Sequence, residues 1–377
     1  MLDSRFPGLR AAIADAATHP AAVTDPVDAD ERPAAIGRRS LRASDRTFEA
    51  DERVFDCELD LDHDPYLAHH LVDNRPTLPG TFALELAATA AEELCPGRRA
   101  IGFRQVVFRK FLRLHPIRKS LALRVRASRL PELSDDRGTS VRVVITTDVR
   151  APSGELLVAD QVHADLEVRL ADRARPSPAP PRGVLTGGRA TFDPYLQPNP
   201  AVHLSGPLDT LRSPVQSDRF GQAMFTLRSE AYLMPFNRFR TPALLLDGLA
   251  RTSVFVGGHR ATRPLVALSS IGRVDLFESN AFGRNDIALA TRYPRIRLIA
   301  GDDPATAGAY LAEAVDDSGA VLVRISGLIG APLGWCTEHG TGFRAADRGR
   351  ETRSAVTTAT RKSGRSLQSA TFAPLEE

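Results

Sequence analysis

Apolar residues follow two different spacings between residues 47 and 170. Phe82, Leu86, Ala90 and Leu94 recur every four residues, which predicts a buried helix over 81–94. Pro79 can occupy the first turn of that helix, where a missing N–H costs nothing. Strand-like alternation is seen at 47–61, 100–114, 120–130, 140–149 and 155–170. The pattern therefore predicts one helix followed by antiparallel strands.

A similar pattern returns further along the chain. A helix is predicted from Pro242 to about Val256, with Thr241 as N-cap, Pro242 at the first helical position and Gly257–Gly258 after its end. Strands are predicted near 222–233, 265–277, 286–293, 296–299, 309–315 and 320–327. The chain thus divides into two similar halves.

Composition sets the boundaries of these halves. A Pro-rich stretch beginning at Ala171 cannot pair into a sheet and indicates a linker. The two ends of the chain are polar and lack sustained periodicity, which is typical of disorder. The predicted organisation is a leader or linker at 1–46, a first domain at 47–170, a linker at 171–188, a second domain at 189–342 and a disordered tail at 343–377.

Charge and cysteine content exclude several classes of protein. With 42% hydrophobic residues and no apolar run of membrane-spanning length, a soluble globular protein is expected. The absence of a secretory signal pattern predicts the cytoplasm. The net charge of +3 is spread along the chain, so neither a nucleic acid nor a membrane is an expected partner. The three cysteines lack a Cys-x-x-Cys pair and predict neither a disulfide framework nor a zinc site.

His70 is the first candidate catalytic residue. It precedes a loop that must bend sharply, and Asn74 within that loop is a residue type that tolerates positive φ. The loop then opens into the predicted helix at 81–94. Backbone N–H groups at the turn and at the helix N-terminus are placed to polarise a substrate carbonyl.

Asp247 is the second candidate, because it lies among leucines in the predicted helix of the second half. A buried carboxylate either finds hydrogen-bond donors or has its pKa raised and keeps its proton. A neutral carboxylic acid in an apolar site is a good proton donor.

Three motifs resemble the dehydratase domain of polyketide and polyunsaturated fatty acid synthases. They are His70…Asn74…Pro79-Gly80 for His-x-x-x-Gly-x-x-x-x-Pro, Pro242…Leu246-Asp247 for Pro-x-Leu-Leu-Asp, and Ser269-Ser270-Ile271-Gly272-Arg273 for the strand that follows. Their order and separation agree with the family. The resemblance implies an α+β fold, the double hot dog, in which two long helices are each wrapped by an antiparallel sheet.

The same resemblance implies a hydro-lyase that removes water from a 3-hydroxyacyl thioester to give a 2-enoyl thioester. His70 would be the base and Asp247 the acid, and no cofactor or metal is implied. The substrate would be carried by an acyl carrier protein, and a homodimer is allowed. The implied substrate-binding residues are Asn74, Pro79, Gly80, Arg251, Gly206 and Pro207.

The chain departs from the family pattern at three places. Asn74 replaces the glycine of the first motif, and only Gly206-Pro207 remains of the aromatic motif Gly-Tyr-x-Tyr-Gly-Pro-x-Phe. Arg251 stands where Gln or His is expected, four residues after Asp247 and on the same helix face. We expect Arg251 to turn to solvent, because a Leu-rich helix offers a buried guanidinium few acceptors. If it grips Asp247 instead, a slow or inactive enzyme is expected, with Arg251→Gln raising activity.

Less specific interpretations remain open. His70 alone is also compatible with a loop histidine bonded to a backbone carbonyl, and Asp247 with a simple ion pair to Arg251. The whole chain is compatible with a hot-dog acyl-binding or scaffold module without catalysis, or with an enoyl isomerase or thioesterase on the same fold. Product analysis with a 3-hydroxyacyl thioester separates these functions.

Overall fold

The structure of the protein is a computed structural model. All of the residues it describes belong to one compact unit, Ala34–Glu377. They are residues 42–43, 51–135, 138–151, 153–173, 175–178, 187–256, 262–277, 286–290, 294–300, 310–337 and 343–345. Predictions for Gly257–Gly258, for residues 1–41 and for most of the tail lie outside these ranges.

Three α-helices occur in the described residues. They are α1 (Gly80–Leu94), α2 (Ala243–Arg251) and α3 (Asp286–Ala290). Short 3₁₀ helices lie at Pro65–His69, Pro194–Leu196, Gly206–Leu208, Ser229–Leu233, Pro235–Arg238 and Thr252–Phe255. None of the helices in this part of the chain is long and apolar enough to cross a membrane.

The strands of each half follow one another along the chain. The first half contains β1 (Arg42–Ala43), β2 (Glu52–Asp60), β3 (His70–Val72), β4 (Arg75–Leu78), β5 (Arg99–Phe108), β6 (Leu112–Arg113), β7 (Ser120–Asp135), β8 (Gly138–Arg150) and β9 (Leu156–Ala171). The second half contains β10 (Arg189–Ala190), β11 (Val202–Leu204), β12 (Leu211–Gln216), β13 (Phe220–Phe225), β14 (Thr262–Leu276), β15 (Arg295–Ala300), β16 (Tyr310–Val315), β17 (Val321–Thr337) and β18 (Phe343–Ala345).

One continuous antiparallel sheet joins the two halves. Its strand order is β1-β2-β7-β8-β9-β5-β14-β17-β16-β15-β13-β12-β10, with β18 paired to β17. The halves meet where β5 pairs with β14, with Val106 opposite Ile271. A smaller sheet has the order β11-β3-β4-β6. The sheets of the two halves therefore run on into each other.

The two longer helices pack against this sheet. Helix α1 packs against β5, β7, β8 and β9, α2 packs against β15, β16 and β17, and the two helices contact each other. Four rings, Tyr66, Phe82, Phe236 and Phe239, pack together with centroids 5.3 to 6.2 Å apart and bring residues of both halves into one core. Both helices are therefore buried, as the apolar spacing predicts.

The prediction of two long helices is not confirmed. Helix α1 has 15 residues but α2 has 9, after which the chain continues as the 3₁₀ turn Thr252–Phe255. The hydroxyl of Thr252 donates to the carbonyl of Leu249, 2.6 Å away, and that of Ser253 to Ala250, 2.8 Å away. Such side-chain bonds to preceding carbonyls compete with continuation of the helix.

Several predicted boundaries were also wrong. Residues 286–290 form helix α3 where a strand was predicted, and the strand predicted over 222–233 ends at Phe225. Thr241 is not the N-cap of α2, because Pro242 holds that position without a side-chain hydrogen bond. Phe343–Ala345, within the segment predicted to be disordered, pairs with β17. Arg175, within the predicted linker, forms a bridge with Phe277.

Candidate active site

His70 begins β3, in a hairpin that fixes the orientation of its ring. Asp73 and Asn74 join β3 to β4 with φ values of 50° and 58°, so the expected left-handed conformation of Asn74 is present. Two successive residues at positive φ are typical of a type I′ hairpin turn. The hairpin brings the carbonyl of Thr77 within 2.7 Å of Nδ1 of His70. A carbonyl only accepts, so Nδ1 carries the proton and Nε2 keeps a free lone pair.

The environment keeps the His70 ring neutral. Burial lowers the pKa of His70 from 6.5 to about 4, and the positive charge of Arg251 acts in the same direction. Two effects therefore set the state of the ring: the Thr77 carbonyl selects the tautomer, and burial disfavours the charged form. The histidine of the first motif is held as a proton acceptor at neutral pH.

Asp247 lies in the middle of α2 and retains 15% side-chain exposure. Burial raises the pKa of its carboxyl, while the adjacent Arg251 guanidinium opposes that rise. Nε of Arg251 is 2.9 Å from Oδ2 of Asp247, although this N–H does not have hydrogen-bond geometry. The contact is an ion pair between consecutive turns of one helix face.

Arg251 does not turn to solvent, so that prediction was wrong. Its side chain is only 4% exposed. Nη1 donates to Oδ2 of Asp193. Nη2 donates to the carbonyl of Leu208 at 2.9 Å and to the hydroxyl of Thr210 at 2.7 Å. The acceptors that the Leu-rich helix lacks are supplied by the chain segment before β12.

Two buried carboxylates hold the start of α2 in place. Glu85, on α1, accepts from the backbone N–H groups of Arg240 and Thr241 at 2.9 and 2.8 Å, and from the Thr241 hydroxyl at 2.7 Å. Asp286 accepts from the N–H groups of Leu244 and Leu245 at 2.9 and 2.8 Å. Burial raises the pKa of Glu85 and of Asp286 to about 7. Asp286 does the capping that the sequence assigned to Thr241.

The remaining predicted residues do not form one contact set with His70. Asn74 is exposed at the hairpin turn, and Pro79 is the N-cap of α1. Gly80 faces the Phe108 ring, which a Cβ would meet at 3.5 Å. Gly206 has a φ of 51° and lies against the ring of His69, which a Cβ would meet at 2.6 Å. Pro207 follows it and is buried.

Other histidines in the described residues have structural partners. Nδ1 of His69 is 3.1 Å from the hydroxyl of Ser205, and Nδ1 of His203 is 3.3 Å from the carbonyl of Gln197. Nδ1 of His115 accepts from the N–H groups of Ile117 and Arg118, both at 3.2 Å. Within the described residues, no group of three or more His, Cys, Asp or Glu is arranged to hold a metal ion.

Sequence reasoning missed Asp193. It lies 58 residues before Arg251, in a 3₁₀ turn where it accepts from the N–H of Tyr195 at 3.0 Å. No fixed spacing links it to the helix motif. The available signal was indirect: a buried arginine at position 251 requires an acidic partner, and Asp193 stands between Phe192 and Pro194 in an apolar setting.

Comparison with known proteins identifies what this arrangement is similar to. Residues 41–145 match the family model described as the polyketide synthase dehydratase domain. No curated protein sequence matches the chain.

Solved structures match over both halves. The dehydratase domain from the CurF module of curacin polyketide synthase aligns with a TM-score of 0.56 at 11% identity, covering 80% of this chain and 100% of that one. The dehydratase domain of a mycocerosic acid synthase-like polyketide synthase aligns with a TM-score of 0.53 at 14% identity, covering 80% and 97%. A dehydratase structure from work on the borrelidin and fluvirucin polyketide synthases gives 0.52 at 19%, covering 76% and 91%.

Because the sequence identities are low, the structural likeness supports the fold alone. The match to the family model lies in the half that contains His70. The structural likeness and the family match both agree with the sequence motifs. The chain has the double hot dog fold of these dehydratase structures, and its residues 41–145 match the polyketide synthase dehydratase family model.

Proposed function

We propose that the protein removes water from a 3-hydroxyacyl thioester, with His70 as base and Asp247 as acid. The observation that supports this most strongly is the state of His70. Its ring is neutral, its tautomer is selected by the Thr77 carbonyl, and it lies within electrostatic reach of Arg251, which pairs with Asp247. A base and an acid supplied by opposite halves of the fold fit an elimination across two adjacent carbons.

The proton transfers balance in this scheme. Nε2 of His70 takes the proton from the carbon next to the thioester carbonyl, and the new double bond expels the β-hydroxyl. Asp247 donates a proton to that hydroxyl, which leaves as water. The cycle closes when the His70 imidazolium returns a proton to the Asp247 carboxylate. Backbone N–H groups near Gly80, at the N-terminus of α1, are candidates to polarise the thioester carbonyl.

The substrate class follows from the same family. We propose that the acyl chain is presented by an acyl carrier protein in the cytoplasm, and that Asn74, Pro79, Gly80, Gly206 and Pro207 shape the site around it. Of these, Gly206 has a steric reason to lack a side chain, since a Cβ there would fall 2.6 Å from the His69 ring.

The proposal is tested by incubating the purified protein with a 3-hydroxyacyl pantetheine thioester and identifying the product by mass spectrometry. A 2-enoyl thioester is expected. His70→Ala should lower its formation by about 10²–10⁴-fold, the usual contribution of a general base. His115→Ala is the matched control, because this exposed histidine has only local backbone partners.

Other products would overturn the assignment. A free acid would indicate a thioesterase, and a moved double bond from an enoyl substrate would indicate an isomerase. Binding without any conversion would indicate an acyl-binding module. Near wild-type turnover by His70→Ala would exclude His70 as the base.

A further inference from the structure

Arg251 lies between two buried carboxylates. Its Nη1 donates to Asp193, whose side chain is 3% exposed, and its Nε lies 2.9 Å from Oδ2 of Asp247, whose side chain is 15% exposed. One guanidinium neutralises one carboxylate. The second carboxylate of this trio is therefore left without a counter-charge, and a buried group in that position is stabilised by a proton.

The contacts of the two carboxylates are unequal. Asp193 receives a hydrogen bond from Nη1 of Arg251 and another from the N–H of Tyr195 at 3.0 Å. Among the described residues, the only polar contact of the Asp247 carboxyl is with Nε of Arg251, and this contact lacks hydrogen-bond geometry. Hydrogen bonds to the ionised form favour ionisation. The negative charge is therefore better placed on Asp193, and the proton on Asp247.

We propose that Asp193 is a positioning residue that holds the charge of Arg251, so that Asp247 keeps the proton it gives to the substrate. The inference rests on the proposed dehydratase function and deepens it, since it explains how an acid survives beside an arginine. Asp193 touches neither substrate nor reacting atoms in this scheme.

The charges around the trio agree with this assignment. Asp209, which faces Arg251, is held by Nη1 of Arg212 at 2.6 Å and Nε of Arg228 at 2.7 Å. Burial keeps the hydroxyl of Tyr195 protonated, with its pKa raised, and keeps the ring of His70 neutral.

At the other end of α2, the carboxyl of Asp286 faces Asp247. Burial raises the pKa of both Asp193 and Asp247. Two coupled acids of this kind lose their protons in separate steps.

The first test measures protonation without turnover. Protein labelled with ¹³C at the aspartate carboxyls is titrated by NMR, and the Asp247 and Asp193 signals are assigned from Asp247→Asn and Asp193→Asn. As the pH rises, Asp193 should ionise first and Asp247 should keep its proton to a higher pH. Ionisation of Asp247 before Asp193 would overturn the proposal even if the enzyme is an active dehydratase.

The second test removes the residues of the trio in turn. Asp193→Asn leaves Arg251 with Asp247 alone, so the Asp247 pKa should fall and turnover should drop by about 10²-fold or more. Asp193→Asn with Arg251→Gln removes both charges and should restore a protonated Asp247 and most of the turnover. Arg251→Gln alone should give no gain, because Asp247 already holds its proton in the wild type.

The control is Asp165→Asn, which removes a carboxylate that pairs with Arg142 at 2.8 Å on the outer face of the sheet. It should change neither the Asp247 titration nor turnover. A folded Asp193→Asn variant with an unchanged Asp247 titration would overturn the proposal. So would failure of the double variant to recover turnover after the single one has lost it. If no variant or wild type turns over substrate, the titration still decides the role of Asp193.

Discussion

The backbone around His70 distinguishes the two nitrogens of its ring. Nδ1 donates a hydrogen bond to the Thr77 carbonyl, 2.7 Å away, so Nε2 is the nitrogen that can accept a proton. The hairpin turn at Asp73–Asn74 is what returns Thr77 to the ring. Asn74 therefore affects the base through the shape of the loop, since its own side chain is exposed.

The pH dependence of the reaction follows from the same residue. Because burial lowers the His70 pKa from 6.5 to about 4, the base is neutral above about pH 4 and becomes charged below it. We expect kcat/KM for dehydration to fall with a midpoint near pH 4 on the acid side. On the alkaline side, activity should fall as pH rises through the raised pKa of Asp247.

The measurement is a pH profile of kcat/KM with a 3-hydroxyacyl pantetheine thioester, corrected for stability at each pH. A midpoint near 6.5 on the acid side would show that solvent reaches the ring in solution. Asp247→Glu is a useful comparison, because it should move only the alkaline limb.

The two residues proposed for catalysis could be chosen from the sequence, but their environment could not be predicted from it. His70 and Asp247 belong to motifs with fixed local spacing, which a single chain displays directly. The direction of Arg251 depends on acceptors from Asp193, Leu208 and Thr210. These partners come together only in the folded chain, so the local argument from a Leu-rich helix gave the wrong result.

At the scale of elements, helix α2 is held in position by two carboxylates that belong to other helices. Glu85 of α1 binds the residues just before α2, and Asp286 binds its first N–H groups. The helix has 9 residues, a length at which isolated helices are marginal in water. The placement of Asp247 therefore depends on these two contacts.

Glu85→Ala should destabilise the protein by about 3 kcal/mol. It leaves the buried N–H groups of Arg240 and Thr241 without their acceptor, and each such group costs about 1–3 kcal/mol. Urea unfolding at pH 7 followed by circular dichroism measures the loss. A change below about 0.5 kcal/mol, the size of an ordinary surface substitution, would contradict this role.

The raised pKa of Glu85 adds a pH signature. The folded state holds a proton between pH 4.5 and about 7 that the unfolded state has released, so this group makes stability fall as pH rises through that window. Glu85→Gln cannot titrate and should remove this contribution.

Secondary structure could be predicted where the apolar spacing within an element is regular. Helix α1 differs from its predicted bounds by one residue, because its apolar spacing is regular from Phe82 to Leu94. The strand predicted over 286–293 begins as helix α3, because Asp286 is turned inward to cap α2. A residue that caps a different element, as Asp286 does, leaves no periodic pattern in its own segment.

At the scale of the whole molecule, the halves are joined by backbone contact at the β5–β14 pair. Gly102 of β5 lies opposite Asp275, and a Cβ on Gly102 would fall 2.3 Å from the carbonyl oxygen of Val274. Real Cβ atoms do not approach backbone that closely. This part of the junction requires a residue without a side chain.

Gly102→Ala should therefore weaken the junction between the halves. We expect a loss of about 2 kcal/mol or more in urea unfolding, because either strand must shift against a packed neighbour. Gly97→Ala is a control, since nothing lies within 4 Å of a Cβ there. Its φ of 82° carries a local cost of about 1 kcal/mol that is unrelated to the junction. Equal losses for the two variants would show that the close approach at Gly102 is unimportant.

The β5–β14 pair also has a consequence for synthesis of the chain on the ribosome. Strand β5 ends at Phe108, and its partner strand ends only at Leu276. During translation at about 5–20 residues per second, the intervening residues take several seconds or more to emerge. Throughout that interval the first half can fold only with β5 as an open sheet edge, which is a template for aggregation. The nascent chain is most in need of a chaperone between these two points, and slow codons after β9 would prolong its exposure.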